Sequence, residues 1–135
     1  TSQQGVGKGL MTQAELDAIH ERMQHAFSAT GTPVFDAIYA CTHLEGTCQC
    51  RKPSPELILQ AAREHSLDLE RSIMIGDHDR DILMARKAGV RTTIRIAGHH
   101  RETEPADYRL AKVNDLAALL TTLCVPGGIT ADPGT

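Results

Sequence analysis

The sequence lacks any long apolar run, since no stretch approaches the roughly 18 residues that a membrane-spanning helix needs. It also lacks a basic cluster: its 14 lysines and arginines are scattered, and the formal net charge is −3. The electrostatic footprint of a nucleic-acid-binding protein is therefore missing. No signal peptide and no internal repeat are recognisable. We expect a soluble, cytoplasmic protein that binds neither membranes nor nucleic acids.

Cysteine is scarce and unevenly placed. Three of the four cysteines lie between Cys41 and Cys50, and Cys124 stands alone. This distribution makes a poor disulfide framework, and in a reducing compartment it favours a metal site. With 135 residues, 41% of them hydrophobic, the chain is long enough for one domain with a buried core.

Helix and strand signals alternate along the chain. The stretch Gln13 to Phe27 has apolar residues at helical spacing and opens with a capping box, Thr12 to Glu15. Further segments are assigned from periodicity and from Gly, Pro and cap residues. They are a strand from Val34 to Ala40, a helix from Ser54 and Pro55 to about His65, a strand from Ser72 to Ile75, a helix from about Asp79 that Gly89 ends, strands in "RTTIRI" and "DYRLAKV", and the helix "NDLAALLTTL" capped by Asn114.

This alternation determines the predicted fold class. Strands that are separated by helices form a parallel sheet that is covered on both faces, so we predict an α/β fold with three layers, α/β/α. The final stretch, "PGGITADPGT", has the composition of a disordered tail or linker. We therefore assign residues 1–123 to the domain and residues 124–135 to a C-terminal tail.

The cysteine-rich loop has the form C-x-H-x4-C-x-C. Cys41, His43, Cys48 and Cys50 offer three thiolates and one imidazole, which is the number and type of ligands in a closed structural zinc site. Such a site has no open position for substrate, so the zinc would hold the loop and would not take part in chemistry. The alternative is a cluster of reduced cysteines, or an adventitious disulfide.

A second candidate site lies in "IMIGDHDRD". Asp77 follows a buried strand after one glycine, and polar groups at the carboxyl ends of parallel strands line the ligand crevice of such folds. Asp77 is therefore placed to bind a hard cation, and Asp81, about one helical turn further, could support it. The alternative is that Asp77 and Asp79 only cap the next helix.

Three stretches together resemble a known family. "TSQQGVGKG", "CTHLEGTCQCRKPSPELI" and "IGDHDRDILMARKAGV" are similar to the second, third and fourth motifs of haloacid-dehalogenase-like (HAD) phosphatases. Within them the chain resembles the zinc-loop branch that acts on heptose 1,7-bisphosphate or histidinol phosphate. The similarity runs from Thr1 to about Leu120. It implies a capless Rossmann-like core and a Mg²⁺-dependent phosphate monoester hydrolase, in which a carboxylate attacks phosphorus and water hydrolyses the aspartyl-phosphate.

The resemblance also implies roles for single residues. Thr1 matches the hydroxyl that hydrogen-bonds the transferring phosphoryl group, and Lys52 matches the lysine that offsets its charge. Arg51 would hold the phosphate or the polar body of the substrate. Substrate contact is also implied for Ser2, which replaces a usual Asn, and for Gln3.

The fourth motif supplies the metal-binding acids. Asp77 matches the Mg²⁺ ligand and Asp81 the second acid, whereas His78 stands where Lys is common. Thus the expected cofactors are catalytic Mg²⁺ and structural Zn²⁺. The loop Ala97 to Pro105 follows a strand on the same side of the sheet, and it could reach the substrate. The candidate residues for this contact are His99, His100 and Arg101.

One family motif is absent. The Asp-x-Asp-x-Gly stretch that carries the nucleophile and the general acid/base does not occur in the 135 residues. We therefore expect a fragment that begins inside the second motif and lacks two strands, which in the fold that the resemblance implies lie in the sheet between the strand at Val34 and the strand at Ser72. Another chain or an unrecorded segment would supply them. The fragment alone should be inactive.

The substrate prediction is based on the "RKPSP" segment, which resembles the heptose branch more than the histidinol branch, although Glu56 replaces a usual Gly. A small phosphorylated metabolite, most simply a sugar bisphosphate, is the expected partner. Two other classes stay open: a non-catalytic, zinc-stabilised interaction module, and a receiver-like signalling domain, which would not need the zinc loop.

Overall fold

The computed structural model describes residues 1–31 and 35–124. It contains a parallel sheet of three strands in the order β1-β2-β3, five α-helices and two short 3₁₀ turns. The strands are β1 (Ile73–Gly76), β2 (Thr92–Ile96) and β3 (Tyr108–Leu110). The helices are α1 (Gln4–Gly7), α2 (Gln13–Ser28), α3 (Glu56–His65), α4 (Asp79–Ala88) and α5 (Leu116–Leu123), and the 3₁₀ turns are Leu69–Arg71 and Val113–Asp115.

Local signals explain the helix boundaries. The Thr12 hydroxyl accepts from the backbone N–H of Glu15, whose carboxylate accepts from the backbone N–H of Thr12, so the predicted capping box of α2 is present. Helix α4 ends at Gly89, whose φ of 85° lies in the left-handed region that glycine adopts without strain. The predicted helices from Gln13, Ser54 and Asp79 are confirmed to within a few residues.

The core lies between the sheet and two helices. Helix α4 packs on β1 and β2, and α3 packs on α4. The buried centre consists of small and β-branched side chains of α4 and of the turn that follows it, with partly buried apolar groups from α3, the first 3₁₀ turn and β1 around them. These residues are Ala85, Ala88, Val90, Ile58, Leu59, Leu69 and Met74. This packing fixes the start of α4 against the end of β1.

Strand β2 is the most buried element of the sheet. Thr93, Ile94 and Arg95 are each at most 1% exposed. Thr93 is tied to the start of β3, because its backbone N–H and its hydroxyl both donate to Asp107 at 2.7 Å. In the register of the sheet, Gly76 of β1 lies opposite Arg95 of β2. The charged residue Arg95 is therefore next to the end of β1.

Two sequence predictions are wrong. Residues 35–40 form no strand, and Val34 lies outside the described residues. Cys41 pairs with Ser2 in a single isolated bridge, and one paired position does not make a ladder. Asn114 does not cap α5, because it lies inside the 3₁₀ turn that precedes the helix, and Asp115 is the N-cap position.

Other predictions lie partly outside the described residues. The tail was assigned to residues 124–135, of which only Cys124 is described, as an exposed turn residue after α5. Helix α1 was not predicted. Every helix within residues 1–31 and 35–124 is too short or too polar to cross a bilayer.

Candidate functional site

The four predicted zinc ligands come together in one cluster. The Cys41 and Cys48 sulfurs lie 3.5 Å apart, as do those of Cys48 and Cys50. The Nδ1 of His43 lies 3.3 Å from Cys50 Sγ and 3.9 Å from Cys41 Sγ. No disulfide joins the cysteines of the described chain. All four ligand atoms lie within 4.8 Å of one another, as a shared metal ion requires.

The spacing of these atoms fits a tetrahedral ion. With Zn–S near 2.3 Å and Zn–N near 2.0–2.1 Å, ligand atoms at tetrahedral corners lie about 3.8 Å apart for two sulfurs and about 3.6 Å for sulfur and nitrogen. The observed sulfur–nitrogen separations of 3.3 and 3.9 Å bracket the second value, and the two sulfur–sulfur separations of 3.5 Å lie slightly below the first. Cys41 is fully buried, so one corner of the cluster is closed to solvent.

The thiols of this cluster differ in acidity. Burial, followed by hydrogen bonds with the Cys41 and Cys48 thiols, raises the pKa of Cys50 to about 12. Burial acts in the same direction on Cys48, but hydrogen bonds from the Cys50 N–H and from the neighbouring thiols outweigh it and lower its pKa to about 7. Three sulfurs this close carry their negative charge together only when a cation shares it.

The second candidate site lies where β1 ends and α4 begins. Asp77 is exposed directly after Gly76, the last residue of β1. His78 is the N-cap of α4: its Nδ1 accepts from the backbone N–H of Arg80 at 3.2 Å. Because His78 has this role, Asp77 and Asp79 are not the N-cap, and the alternative reading of Asp77 as a helix cap is wrong.

Three carboxylates surround this turn, and two of them are paired with cations. Lys52 Nζ lies 2.5 Å from Asp81 Oδ1, and Arg95 Nη2 lies 2.5 Å from Asp79 Oδ1. Asp77 makes no side-chain hydrogen bond or ion pair with any residue that the structure describes. The site therefore presents one free, exposed carboxylate beside two that are already neutralised.

Gly76 makes this arrangement possible. A Cβ at position 76 would lie 2.5 Å from the Cβ and from Oδ2 of Asp81, which is closer than side-chain atoms approach one another. Asp81 is 3% exposed, and its Oδ2 accepts from the backbone N–H of His78 at 3.2 Å. Only a residue without a side chain lets Asp81 fold back under the turn and face Lys52.

The predicted phosphate-binding residues lie in two segments. Gln3 Nε2 donates to the Thr1 hydroxyl at 3.3 Å. The backbone N–H of Cys41 donates to the Thr1 carbonyl at 2.8 Å, and the Cys41 carbonyl accepts from the Gln3 N–H at 2.7 Å, so Thr1 and Gln3 lie beside the cysteine cluster. Next to Lys52, Arg51 has buried Nε and Nη1 atoms that find no partner among the described residues, and the buried Ser2 hydroxyl finds none either.

Sequence reasoning missed the groups that fix the loop over this site. Asp79 accepts from the hydroxyl and backbone N–H of Thr103 and from the backbone N–H of Glu104. These hydrogen bonds, the Thr103 hydroxyl first, hold the pKa of Asp79 well below its usual range. Arg95 also donates to Asp79, and a usable signal was its position between two isoleucines of a predicted strand, where a cation needs a partner.

Comparisons with known proteins identify the family of this chain. The HAD-hydrolase-like family model matches residues 49–119, just over half of the chain. The Helicobacter pylori (strain J99) D-glycero-beta-D-manno-heptose-1,7-bisphosphate 7-phosphatase is 41% identical over 95 residues, which are 70% of this chain and 55% of that protein. The chain thus spans little more than half of this relative's length.

Two further relatives extend the match. The Pasteurella multocida D-glycero-beta-D-manno-heptose-1,7-bisphosphate 7-phosphatase is 31% identical over 134 residues, 91% of this chain and 72% of that protein. The crystal structure of the Bordetella bronchiseptica heptose 1,7-bisphosphate phosphatase, complexed with magnesium and phosphate, superposes with a TM-score of 0.74 at 29% identity. That match covers 90% of this chain and 71% of the other. The chain therefore belongs to the HAD-like hydrolases, with their Rossmann-type parallel sheet.

Proposed function

We propose that the complete protein is a Mg²⁺-dependent phosphate monoester hydrolase, and that its substrate is heptose 1,7-bisphosphate, cleaved at the 7-position. The observation that carries this proposal is the free Asp77 carboxylate beside two neutralised ones. Mg²⁺ takes one or two carboxylates and completes its shell with water and substrate oxygens. An exposed carboxylate at the end of a parallel strand fits that requirement.

The residues around Asp77 account for binding and charge. Lys52 offers an ammonium group, and Arg51 offers two buried donors that have no partner in the described part of the chain, so both suit an anionic phosphoryl group. The Thr1 hydroxyl can donate to a phosphoryl oxygen while it accepts from Gln3. A magnesium ion held by Asp77 would neutralise charge on the transferring group.

The attacking carboxylate is assigned to a segment outside these 135 residues. In the proposed reaction its oxygen bonds to phosphorus, the sugar oxygen leaves, and water then hydrolyses the aspartyl-phosphate. Within the described part of the chain, the outer edge of β1 is unpaired, and an apolar groove of about 440 Å³ runs beside it. Thr1, Tyr39, Ile73 and Met74 are among the residues that line the groove. This free edge supports the assignment of further central strands.

The cysteine and histidine cluster is assigned to zinc with a structural role. Four ligands close the tetrahedron and leave no position for substrate, so the ion would hold residues 41–50 in place next to Arg51 and Lys52. Thiolate ligands need reducing conditions, which supports a cytoplasmic location. The names of the relatives support heptose bisphosphate over histidinol phosphate as substrate.

The test is a steady-state assay of the complete protein. We expect Mg²⁺-dependent hydrolysis that Asp77→Asn abolishes with the fold intact, because the amide is a far weaker ligand for a hard cation. Asp36→Asn is the matched control at an exposed position, and it should retain full activity. Activity of Asp77→Asn at the wild-type level would overturn the role of Asp77. No hydrolysis of any phosphate ester by the wild-type protein would favour a non-catalytic, zinc-stabilised interaction module.

A further inference from the structure

The loop between β2 and β3 carries donor groups that the proposed function has not used. Its tip is Gly98, His99, His100 and Arg101, all exposed. The ring centroid of His100 lies 4.5 Å from that of His78, with the rings tilted by 48°. A Cβ at Gly98 would lie 3.4 Å from Asp77 Oδ2, so Gly98 lies next to the candidate metal ligand. The loop tip is therefore a wall of the Asp77 site.

The position of this wall is fixed by the buried Arg95 and by Asp79. Arg95, which is 1% exposed, donates to Asp79 Oδ1 at 2.5 Å and to the Glu104 carbonyl at 3.0 Å. Asp79 also accepts from the Thr103 hydroxyl at 2.5 Å and from its backbone N–H at 3.0 Å. These contacts join the first residue of α4 to the loop, two residues beyond its exposed tip. The segment that follows His100 is consequently held against the start of α4, whose N-cap is His78.

The chemistry of this wall suits an anion. His78 Nδ1 accepts from the Arg80 N–H, so the ring proton of a neutral His78 is on Nε2, which is a donor. His100 adds a second imidazole, and the guanidinium of Arg101 adds a charge nearby. The carboxylates of Asp79 and Asp81 do not oppose an anion here, because Arg95 and Lys52 neutralise them.

We propose that His100 is a specificity-determining residue, which together with His78 binds the second, non-reacting phosphate of a sugar bisphosphate. This inference rests on the proposed function and names the part of the site that distinguishes a bisphosphate from a monophosphate. Asp79 is the positioning residue for this wall, because it fixes the loop and does not touch the substrate. Donors from two residues, His78 and His100, hold a phosphate in one orientation, whereas a single exposed side chain would not.

The decisive experiment compares heptose 1,7-bisphosphate with heptose 7-phosphate in the complete protein. His100→Ala should raise KM for the bisphosphate about tenfold, because one hydrogen bond to a charged group is lost, and should leave kcat within about twofold. The kinetics on the monophosphate should stay unchanged. His100→Asn retains an N–H donor and should recover part of the lost affinity. Glu102→Gln, in the same loop and paired with Arg109, is the control and should change neither substrate.

The positioning role has its own readout. Asp79→Asn should raise KM for the bisphosphate in the same way as His100→Ala. In this variant the loop is no longer held by Asp79, so trypsin should cleave after Arg101 faster than in the wild-type protein. An unchanged KM in His100→Ala, or an equal loss on both substrates, would overturn the proposal. If the wild-type protein hydrolyses no phosphate ester, the proposed function fails. Phosphate binding at the loop tip is then tested by NMR titration with inorganic phosphate. The ring signals of His78 and His100 must shift in this titration.

Discussion

Lys52 Nζ lies 2.5 Å from Asp81 Oδ1 and joins two segments that are 29 residues apart in the sequence. Lys52 follows the cysteine cluster, and Asp81 lies in the first turn of α4. Asp81 is nearly inaccessible to water, whereas the Lys52 side chain is 22% exposed. The pair therefore connects the candidate zinc loop to the turn that carries Asp77, and it holds the ammonium group at the edge of the site.

Replacing Lys52 tests this connection. Lys52→Met leaves the buried Asp81 carboxylate without its cation, so the free energy of unfolding should fall by roughly 1–3 kcal/mol. Urea denaturation of the chain measures it. Arg63→Ala removes an exposed pair of similar length, Arg63 with Glu56 at 2.8 Å, and should change stability by less than about 0.5 kcal/mol. Equal effects of the two substitutions would contradict a structural role for the buried pair.

Metal analysis of the purified chain should give about one zinc per molecule. Cys48→Ser removes a thiolate ligand and should cost several kcal/mol of stability, because the binding free energy of a structural zinc ion is also folding free energy. Cys124→Ser is the matched control at an exposed cysteine outside the cluster and should be neutral. A metal-free protein that is equally stable with and without chelator would remove the assignment.

Arg51 should contribute to substrate preference as well as to rate. The complete protein should hydrolyse heptose 1,7-bisphosphate with a kcat/KM at least ~10-fold above that for histidinol phosphate, which corresponds to about 1.4 kcal/mol of transition-state binding. Arg51→Ala should reduce this ratio, because it removes two buried donors that lack a partner in the described chain. Side-by-side steady-state assays decide the matter, and a wild-type preference for histidinol phosphate would shift the assignment to that substrate.

A pH-dependent contact lies at the groove beside β1. The Tyr39 hydroxyl donates to Glu64 Oε2 at 2.5 Å, and this hydrogen bond is the main reason why the pKa of Tyr39 is raised. A raised pKa favours the neutral phenol, so its contribution to stability is present below pH ~10 and is lost as the pH rises through the folded pKa.

Alkaline titration of the phenol absorbance measures this effect. Glu64→Gln should bring the Tyr39 transition down towards pH ~10, since the anionic acceptor is gone. Tyr39→Phe identifies the signal by removing it. If the transition in Glu64→Gln matches that of the wild-type chain, the hydrogen bond is not the cause of the raised pKa.

The elements that the sequence predicted well are those with local signals. The capping box at Thr12 and the glycine at position 89 identify helix ends without knowledge of the fold. The strand expected after Val34 had only a short apolar stretch to support it. A strand exists only where a partner supplies hydrogen bonds, and residues 35–40 make no ladder within the described chain.

The same distinction applies to the candidate site. The candidate zinc ligands lie within ten residues, so their spacing alone predicted the cluster, and the position of Asp77 was predicted from its place after a strand. The Arg95–Asp79 ion pair depends on sheet register, which puts Arg95 opposite Gly76. The contact between His78 and His100 depends on the same register and on the path of a loop. Neither contact leaves a periodic signal in the sequence.

The close approach of Gly76 to Asp81 restricts how this protein can change by mutation. Any side chain at position 76 collides with the acid, and the acid is the partner of Lys52. A substitution of Gly76 is therefore tolerated only after position 81 has become smaller, and that earlier step leaves the lysine without its counterion. Positions 52, 76 and 81 can therefore change only in a fixed order, through an intermediate in which the lysine lacks its counterion. In an alignment of many relatives, these three positions should vary together or not at all.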